Sequence, residues 1–376
     1  MRYSFPGIGE KAAASAPSRR SALFIQGIAD DGLVKVTVPA ASQKMMDELS
    51  KQEFGCLLSR HVLGSLNHWE HVNVPGLANE FIVLAGKEDQ AMKFSPPAVI
   101  VNCIADPDVA PTALDKERKL ISQLRERERR DIPVINPPES VLRTTRDRIY
   151  EQFSGLPGLH LPRVVRITPH SVADVVQQVK LTGIRLPLLI RAAGTHGGKS
   201  MQRIDGWNEP DLLKLERYAY DGRAFYVTEW QDFRDADGLY RKSRIIAVGG
   251  EFVPRHRIAG DDWNVHAASR KTLMERRAGL RKEEEEFLAR PLAESVSAAA
   301  MESLKKIRAS LGLDYFGIDG SIREDGSLLV FEINAAFNSM VQDGLDAYPY
   351  LIRPVQTIIK AFNDLVAHQA ALEAAA

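Results

Sequence analysis

The sequence predicts an α/β protein in which an N-terminal parallel-sheet lobe is followed by a two-lobed α+β region. Three observations lead there. In the first 145 residues short apolar runs alternate with helical patterns in strand, helix, strand order, and crossovers of that kind join parallel strands. From Thr144 onward the pattern changes to antiparallel hairpins laid over a helix. Near the C-terminus two apolar runs flank Asp325-Gly326, a hairpin signal, ahead of a closing helical stretch. A chain of 376 residues has room for more than one lobe, and the domain limits fall at 1–145, 146–235 and 236–369, with an alanine-rich tail at 370–376.

Residues 21–27, 81–85 and 98–104 read as strands. Residues 114–130 read as a helix with Leu120, Ile121 and Leu124 as its apolar stripe, and 133–136 return as a strand. The arginines of 125–130 suit a solvated helix face better than a phosphate or RNA surface. A helix over 146–153 leads into a strand at 163–167 and a helix over 171–181, with Ser171 as its N-cap. Strands at 186–192 and 200–204 bracket a glycine-rich turn, and further strands follow at 225–230, 244–248 and 251–257. Helices over 276–290 and 296–311 precede the hairpin 315–334, and a helix over 350–367 closes the fold.

Lysine plus arginine and aspartate plus glutamate balance at 49 each, so no overall field favours nucleic acid or an anionic membrane surface. Charged ligands must be held locally. The only cysteines, Cys56 and Cys103, lie far apart without a C-x-x-C partner, which argues against a disulfide framework or a thiolate zinc site and fits a reducing cytoplasm. Residues 1–21 contain no apolar h-region, and no run approaches the ~20 apolar residues of a membrane span.

The most informative stretch is 314–334. If Asp325-Gly326 forms a two-residue turn, Glu324 opposes Ser327, Asp319 opposes Glu332, and Gly317 faces Asn334. Alternation then puts Glu332 and Asn334 on one face with Val330, and Leu329, Phe331 and Ile333 on a core face. Two opposed carboxylates repel unless something positive lies between them, and two carboxylates plus an amide are hard oxygen donors suited to Mg²⁺. The alternative is that both acids sit at solvent-facing strand positions and never meet.

The strand ending near Arg191 runs into Gly194-Thr195-His196-Gly197-Gly198-Lys199-Ser200. Three glycines let backbone amides approach phosphate oxygens, and Lys199 or Ser200 adds charge or hydrogen bonds. A Walker A loop is excluded, because its first glycine would fall on Ala193 and the loop joins two strands instead of opening a helix. A hairpin tip without a ligand is the plain alternative.

These parts, in this order, resemble the ATP-grasp enzymes, the superfamily of the D-alanine:D-alanine ligases, glutathione synthetases and ribosomal-protein glutamate ligases. The resemblance covers roughly residues 130–345. Asp319 with Phe331-Glu332-Ile333-Asn334 matches the family's late Asp and Glu-x-Asn magnesium ligands. It implies nucleotide contacts for Arg191 and Arg148, where the family carries lysines, and arginine keeps the charge while changing its geometry to a planar fork. It likewise implies that Gly197, Gly198, Lys199 and Ser200 form the lid over the phosphates, and that Glu229, Trp230 and Gln231 recognise adenine. Several family ligases carry an arginine two residues before the magnesium Asp; this sequence has Gly317 there. Arg244, Arg255, His256, Arg257, Asn264, His266 and Arg270 crowd the intervening segment, and Arg244, His256, Arg257 and Asn264 are the catalytic candidates among them.

The implied activity is ATP-dependent joining of a small-molecule or peptide carboxylate to an amine, through an acyl phosphate with release of ADP. The implied cofactors are ATP and Mg²⁺, with Mn²⁺ as a substitute, in a cytoplasmic enzyme that uses neither nucleic acid nor membrane and is compatible with a homodimer. Two alternatives remain open: a small-molecule kinase in the same cleft, and a non-catalytic nucleotide-binding regulatory module.

Overall fold

A computed structural model describes residues 20–30, 65–66, 68–84, 96–198, 200–340 and 345–372. Residues 1–19, Cys56, Ala85, Lys199 and 373–376, on which some expectations fall, lie outside them.

The first sheet has the order β2-β1-β3-β4 and consists of β1 (Ser21–Gly27), β2 (Ala78–Leu84), β3 (Pro97–Asn102) and β4 (Val134–Ile135). Every pairing in it is parallel, as the strand, helix, strand order predicts. β1 and β3 are buried along their whole length, which is why they read as unbroken apolar runs. The helix Pro111–Glu128 buries Ala113, Leu114, Ile121 and Leu124 against this sheet, with Leu120 half-buried at the margin. The arginines at its end tie down the following turn: Arg125 pairs with Asp131 and donates to the Ile132 carbonyl, and Arg130 donates to that of Pro97.

Glu117 lies on the same face, fully buried, and neither carboxylate oxygen has a hydrogen-bond partner among the described residues. Burial, with Glu139 nearby, pushes its pKa well above the usual carboxylate range. A group whose folded pKa is raised contributes stability that is complete below its unfolded value, near 4.3, and is lost as pH rises toward the folded one. Glu117→Gln is therefore expected to melt above wild type at neutral pH, with the gap closing as the pH falls to about 4. Thermal melts across that range check it, and a gap that ignores pH would contradict it.

A second, four-stranded sheet, β6-β9-β7-β8, is antiparallel throughout: β6 (Val164–Ile167), β7 (Leu188–Ala192), β8 (Gln202–Ile204) and β9 (Phe225–Glu229). The helix Val172–Thr182 packs Val175 and Val179 onto it, and Ser171 caps this helix by accepting from the Asp174 amide at 3.1 Å. These elements share a hydrophobic core of their own, separate from the main one.

The third sheet has five strands in the order β11-β10-β12-β13-β5, with β5 (Leu159–His160), β10 (Tyr240–Val248), β11 (Glu251–Gly260), β12 (Tyr315–Ile322) and β13 (Leu328–Asn334). β5 joins it in parallel, so residues 159–160 pair with an element some 170 residues downstream. The main core runs continuously from the first sheet into this one and takes in Ile149 and Phe153 of the helix Arg146–Phe153, whose limits match expectation. The closing helix spans Ile352–Leu372; it starts two residues later than the sequence indicated and ends five later, and Ala370 in the added turn is buried.

Candidate active site

The β12–β13 hairpin brings the two acids face to face by a route the sequence does not suggest. The Arg323 amide donates to the Ser327 carbonyl and the Gly326 amide to that of Arg323, so the loop is Glu324-Asp325-Gly326, three residues instead of two. Gly326 takes a φ of 75°, the left-handed conformation that ends such loops. Its carbonyl accepts from the Ser297 amide at 2.7 Å, which pins the turn to the start of the helix Ala298–Leu311. That loop shifts the register by one: Ile322 pairs with Leu328 and Gly320 with Val330. A β-bulge between Asp319 and Gly320 shifts it back, so Asp319 pairs with Glu332 and Gly317 with Asn334.

Phe331 is the extra residue of that bulge. Expected in the core, it is half-buried, lines the cleft and meets Phe233 at 4.8 Å between ring centroids; Val330, expected beside Glu332, borders the cleft with it while packing into the main core with Leu328 and Ile333. A bulge interrupts the alternation of faces, which corrects the assignment of Phe331.

Asp319, Glu332 and Asn334 line a cleft of about 390 Å³ between the five-stranded and four-stranded sheets. The positive complement to the acids comes from side chains. Arg244, cross-strand neighbour of Asp319, holds it in a fork with Nε to Oδ1 at 2.7 Å and Nη2 to Oδ2 at 2.9 Å, and Lys242 reaches Oδ2 at 3.2 Å. Burial works against the Asp319 charge, but Arg244 and Lys242 hold its carboxyl well below the usual range. Glu332 accepts from Arg146 and from the Asn334 amide. Against its own desolvation, Arg146, Arg191 and His196 keep its pKa low.

Gly317 has a physical reason for lacking the arginine of the resembling ligases. A Cβ there would lie 2.1 Å from the Phe337 ring, and that ring in turn carries the Arg244 guanidinium at 4.5 Å. The charge therefore comes from the neighbouring strand.

Arg191, at the end of β7, donates to the Thr195 carbonyl and has no carboxylate in ion-pair contact among the described residues. Burial and the nearby Arg146 push its pKa down to about 10. The loop that follows is a strand-to-strand connection touching both neighbouring regions. His196 Nε2 lies 2.6 Å from Asp106 Oδ2 and its Nδ1 3.9 Å from Glu332, while the Gly198 carbonyl accepts from Asn264 Nδ2 at 3.2 Å. A Cβ on Gly198 would come within 2.3 Å of the Asn264 side chain, so this contact requires glycine.

Of the residues singled out in the sequence, Arg191, Gly197, Gly198, Glu229, Trp230, Gln231, Arg244, Asn264 and His266 line the cleft together with the three hairpin residues. Four lie elsewhere. Arg148 points away from the cleft and donates to the Leu142 carbonyl, because on the helix Arg146–Phe153 it is Arg146 that shares the inward face with Ile149 and Phe153. Ser200 is outside the cleft, and its carbonyl accepts from the Tyr218 hydroxyl. His256 is a half-buried imidazole whose enclosed Nε2 lacks a partner among the described residues, and burial keeps it neutral. Arg257 turns to Glu283 at 3.3 Å. Their strand β11 contributes backbone and packing at these positions.

Several residues in and around the cleft escaped sequence reasoning. Lys242 alternates with Arg244 on β10, a signal that was available. Trp263 meets Trp230 edge-on at 5.5 Å, and Arg203 lies 4.2 Å over the Trp230 ring, contacts between distant segments that no local pattern announces. Asp106 lies some 90 residues from His196 and carried no signal at all.

The donor set of two carboxylates and an amide oxygen fits a hard cation such as Mg²⁺. Among the described residues no group of three or more His, Cys, Asp and Glu gathers at one point, so such an ion would draw its other ligands from Asn334, water and a bound anion.

No protein-family model matches the sequence, and no curated protein does. Solved structures do. D-alanyl-alanine synthetase A from Vibrio cholerae is 12% identical over 91% of this chain and 99% of its own, with a TM-score of 0.47. An ATP-grasp ligase solved with a precursor peptide and AMPPNP is 13% identical over 93% and 98%, at 0.42. Carboxyaminoimidazole ribonucleotide synthase from Aspergillus clavatus, complexed with ATP, is 14% identical over 71% of this chain at 0.41, and the chain spans only 60% of that protein.

Proposed function

We propose that this protein is an ATP-dependent carboxylate–amine ligase of the ATP-grasp type, acting through an acyl phosphate and releasing ADP and phosphate. One observation carries the proposal: Asp319 and Glu332 oppose each other in register on the wall of a cleft that four cationic side chains, Arg146, Arg191, Lys242 and Arg244, also line. With Glu229 counted, three acids set among four guanidinium and ammonium groups leave the cleft net positive, which suits a polyanion and its counter-ion.

The chain's own residues then divide the work. Asp319, Glu332 and Asn334 would hold Mg²⁺, which when bound offsets phosphate charge as it moves. Arg191 and the glycine loop at 194–200 would grip the phosphates from the other side, and Glu229, Trp230 and Gln231 border the end of the cleft that suits the base. Arg244, freed from part of its fork on Asp319 once a divalent ion takes that acid, would turn to the oxygens of the transferred phosphoryl group. The loop, with His196 resting on Asp106 and Gly198 on Asn264, closes the cleft and keeps water from an activated acyl group. In the chemistry itself a carboxylate oxygen attacks the γ-phosphorus and ADP leaves. The amine nitrogen then attacks the acyl carbon, phosphate leaves and the amine proton passes to solvent.

The expected result is ADP release that requires both Mg²⁺ and a carboxylate substrate, measured by nucleotide chromatography across a panel of carboxylates and amines. AMP in place of ADP would overturn the acyl-phosphate route, and a stable phosphoester would reassign the protein to the kinases.

A further inference from the structure

The four-stranded sheet has a hydrophobic core of its own, and it meets the N-terminal lobe through hydrogen bonds to one short loop, residues 105–109, which follows β3. That loop is held firmly. The Asp106 carbonyl accepts from the Ala110 amide at 3.0 Å, Asp106 Oδ1 accepts from the Asp108 amide at 2.9 Å, and the Asp30 amide donates to the Val109 carbonyl at 2.9 Å. Asp108 takes two partners from the four-stranded sheet. Its Oδ1 accepts from Arg166 Nη1 of β6 at 2.5 Å and its Oδ2 from the Tyr226 hydroxyl of β9 at 2.7 Å, while Arg166 Nη1 also donates to that hydroxyl at 3.1 Å. The three groups close a ring in which tyrosine accepts from arginine and donates to aspartate. Burial and the Asp108 charge push the Tyr226 pKa up, so its proton stays in place. A Cβ on Gly194 would lie 2.6 Å from Val109 Cγ2, so the glycine loop rests on the same residues.

Tyr226 faces Arg191 across the pairing of β7 with β9, and its ring lies 5.8 Å from the Arg146 guanidinium. A hollow of about 20 Å³, room for one water, lies among Asp106, Asp108, Arg146, Arg191, Tyr226 and Glu332. The ring at Asp108 therefore bears on the two cations at one end of the main cleft. We propose that Asp108 is a positioning residue that clasps the four-stranded sheet to the N-terminal lobe, holding the cleft closed before nucleotide arrives and fixing Arg146 and Arg191 in place. The clasp itself depends on no particular reaction; its service to the phosphates rests on the ligase proposal. A unit with its own core and a polar docking contact moves as a body once that contact goes. Nucleotide then binds only to the closed fraction, and its apparent affinity falls in proportion. Asp147 also acts electrostatically on Arg166 and Tyr226, so a variant at Asp108 does not leave the arginine far from every carboxylate.

The test measures the distance between spin labels at the exposed positions Gln123 and Leu181 in the full-length protein, with Cys56 replaced by serine and the buried Cys103 left in place. Wild type should show one distance, unchanged by Mg²⁺ and a non-hydrolysable ATP analogue. Asp108→Arg and Arg166→Asp should each add a second population without the analogue and bind it about tenfold more weakly. The double charge swap should restore both readouts, since the Tyr226 hydroxyl can accept from an arginine on one side and donate to an aspartate on the other. Tyr226→Phe, which removes two hydrogen bonds and no charge, should open the cleft part-way. A wild-type distance that shortens when the analogue binds would overturn the clasp. Single variants that keep the wild-type distance, or a double variant no closer to wild type than either single one, would overturn it too. Failure of the analogue to bind wild type would instead strike the ligase proposal, and the label distances without analogue would still decide the clasp.

Discussion

Glu332→Gln is expected to lower Mg-dependent ATP turnover by about 10²–10³-fold while the protein remains folded. Glutamine keeps the shape and the hydrogen bond that the Asn334 amide donates, but removes the negative charge that faces Asp319 across the hairpin. Two effects follow. A divalent ion loses one of its two anionic ligands, and Arg146, deprived of its ion pair, is left beside Arg191 with no carboxylate between them. The second effect predicts a modest fall in stability, so turnover should be measured well below the melting temperature of the variant. Unchanged kinetics in a folded Glu332→Gln protein would remove the hairpin from the active site.

The largest effect on stability is expected far from the chemistry. Glu284 is fully buried, and it accepts from Arg270 at 2.5 and 3.1 Å, from the Tyr350 hydroxyl at 2.8 Å and from the Arg257 amide at 3.1 Å. Removing Arg270 leaves a carboxylate enclosed without its cation, and such a break costs about 3–5 kcal/mol. Arg270→Ala should therefore show a denaturation midpoint lowered by that amount in free energy. Replacing both partners by apolar residues should recover part of it, though not all, because Tyr350 and the Arg257 amide then lose their acceptor. A loss below about 1 kcal/mol for Arg270→Ala would mean the pair is solvated and contributes like a surface bridge.

How far the sequence announces this structure depends on how local each determinant is. The parallel sheet, the helix Arg146–Phe153 and the Ser171 cap follow from periodicity and capping chemistry, both written within a dozen residues. The opposition of Asp319 and Glu332 is a different case: counting from a two-residue turn reaches the observed pairing only because a three-residue loop and a bulge cancel. Turn chemistry at Asp325-Gly326 gives no warning of the bulge, which depends on how β12 meets its two neighbours. Among the assignments that did not hold, Phe331 by face and Arg148 by helix side are those where one residue of register decides everything. Arg146, one turn before Ile149 on a helix whose limits were legible, could have been chosen by asking which arginine shares the apolar stripe. The pairings of His196 with Asp106 and of Arg203 with Trp230 are long-range, and a single sequence holds nothing that would reveal them.

A crystal structure with Mg²⁺ and a non-hydrolysable ATP analogue tests the central claim most directly. The account predicts one divalent ion bound between the carboxylates of Asp319 and Glu332 and bridging to the phosphates, with Arg191 and the glycine loop on the opposite side of the triphosphate. Nucleotide bound elsewhere, or Asp319 and Glu332 still held only by Arg244 and Arg146 with the analogue present, would contradict it.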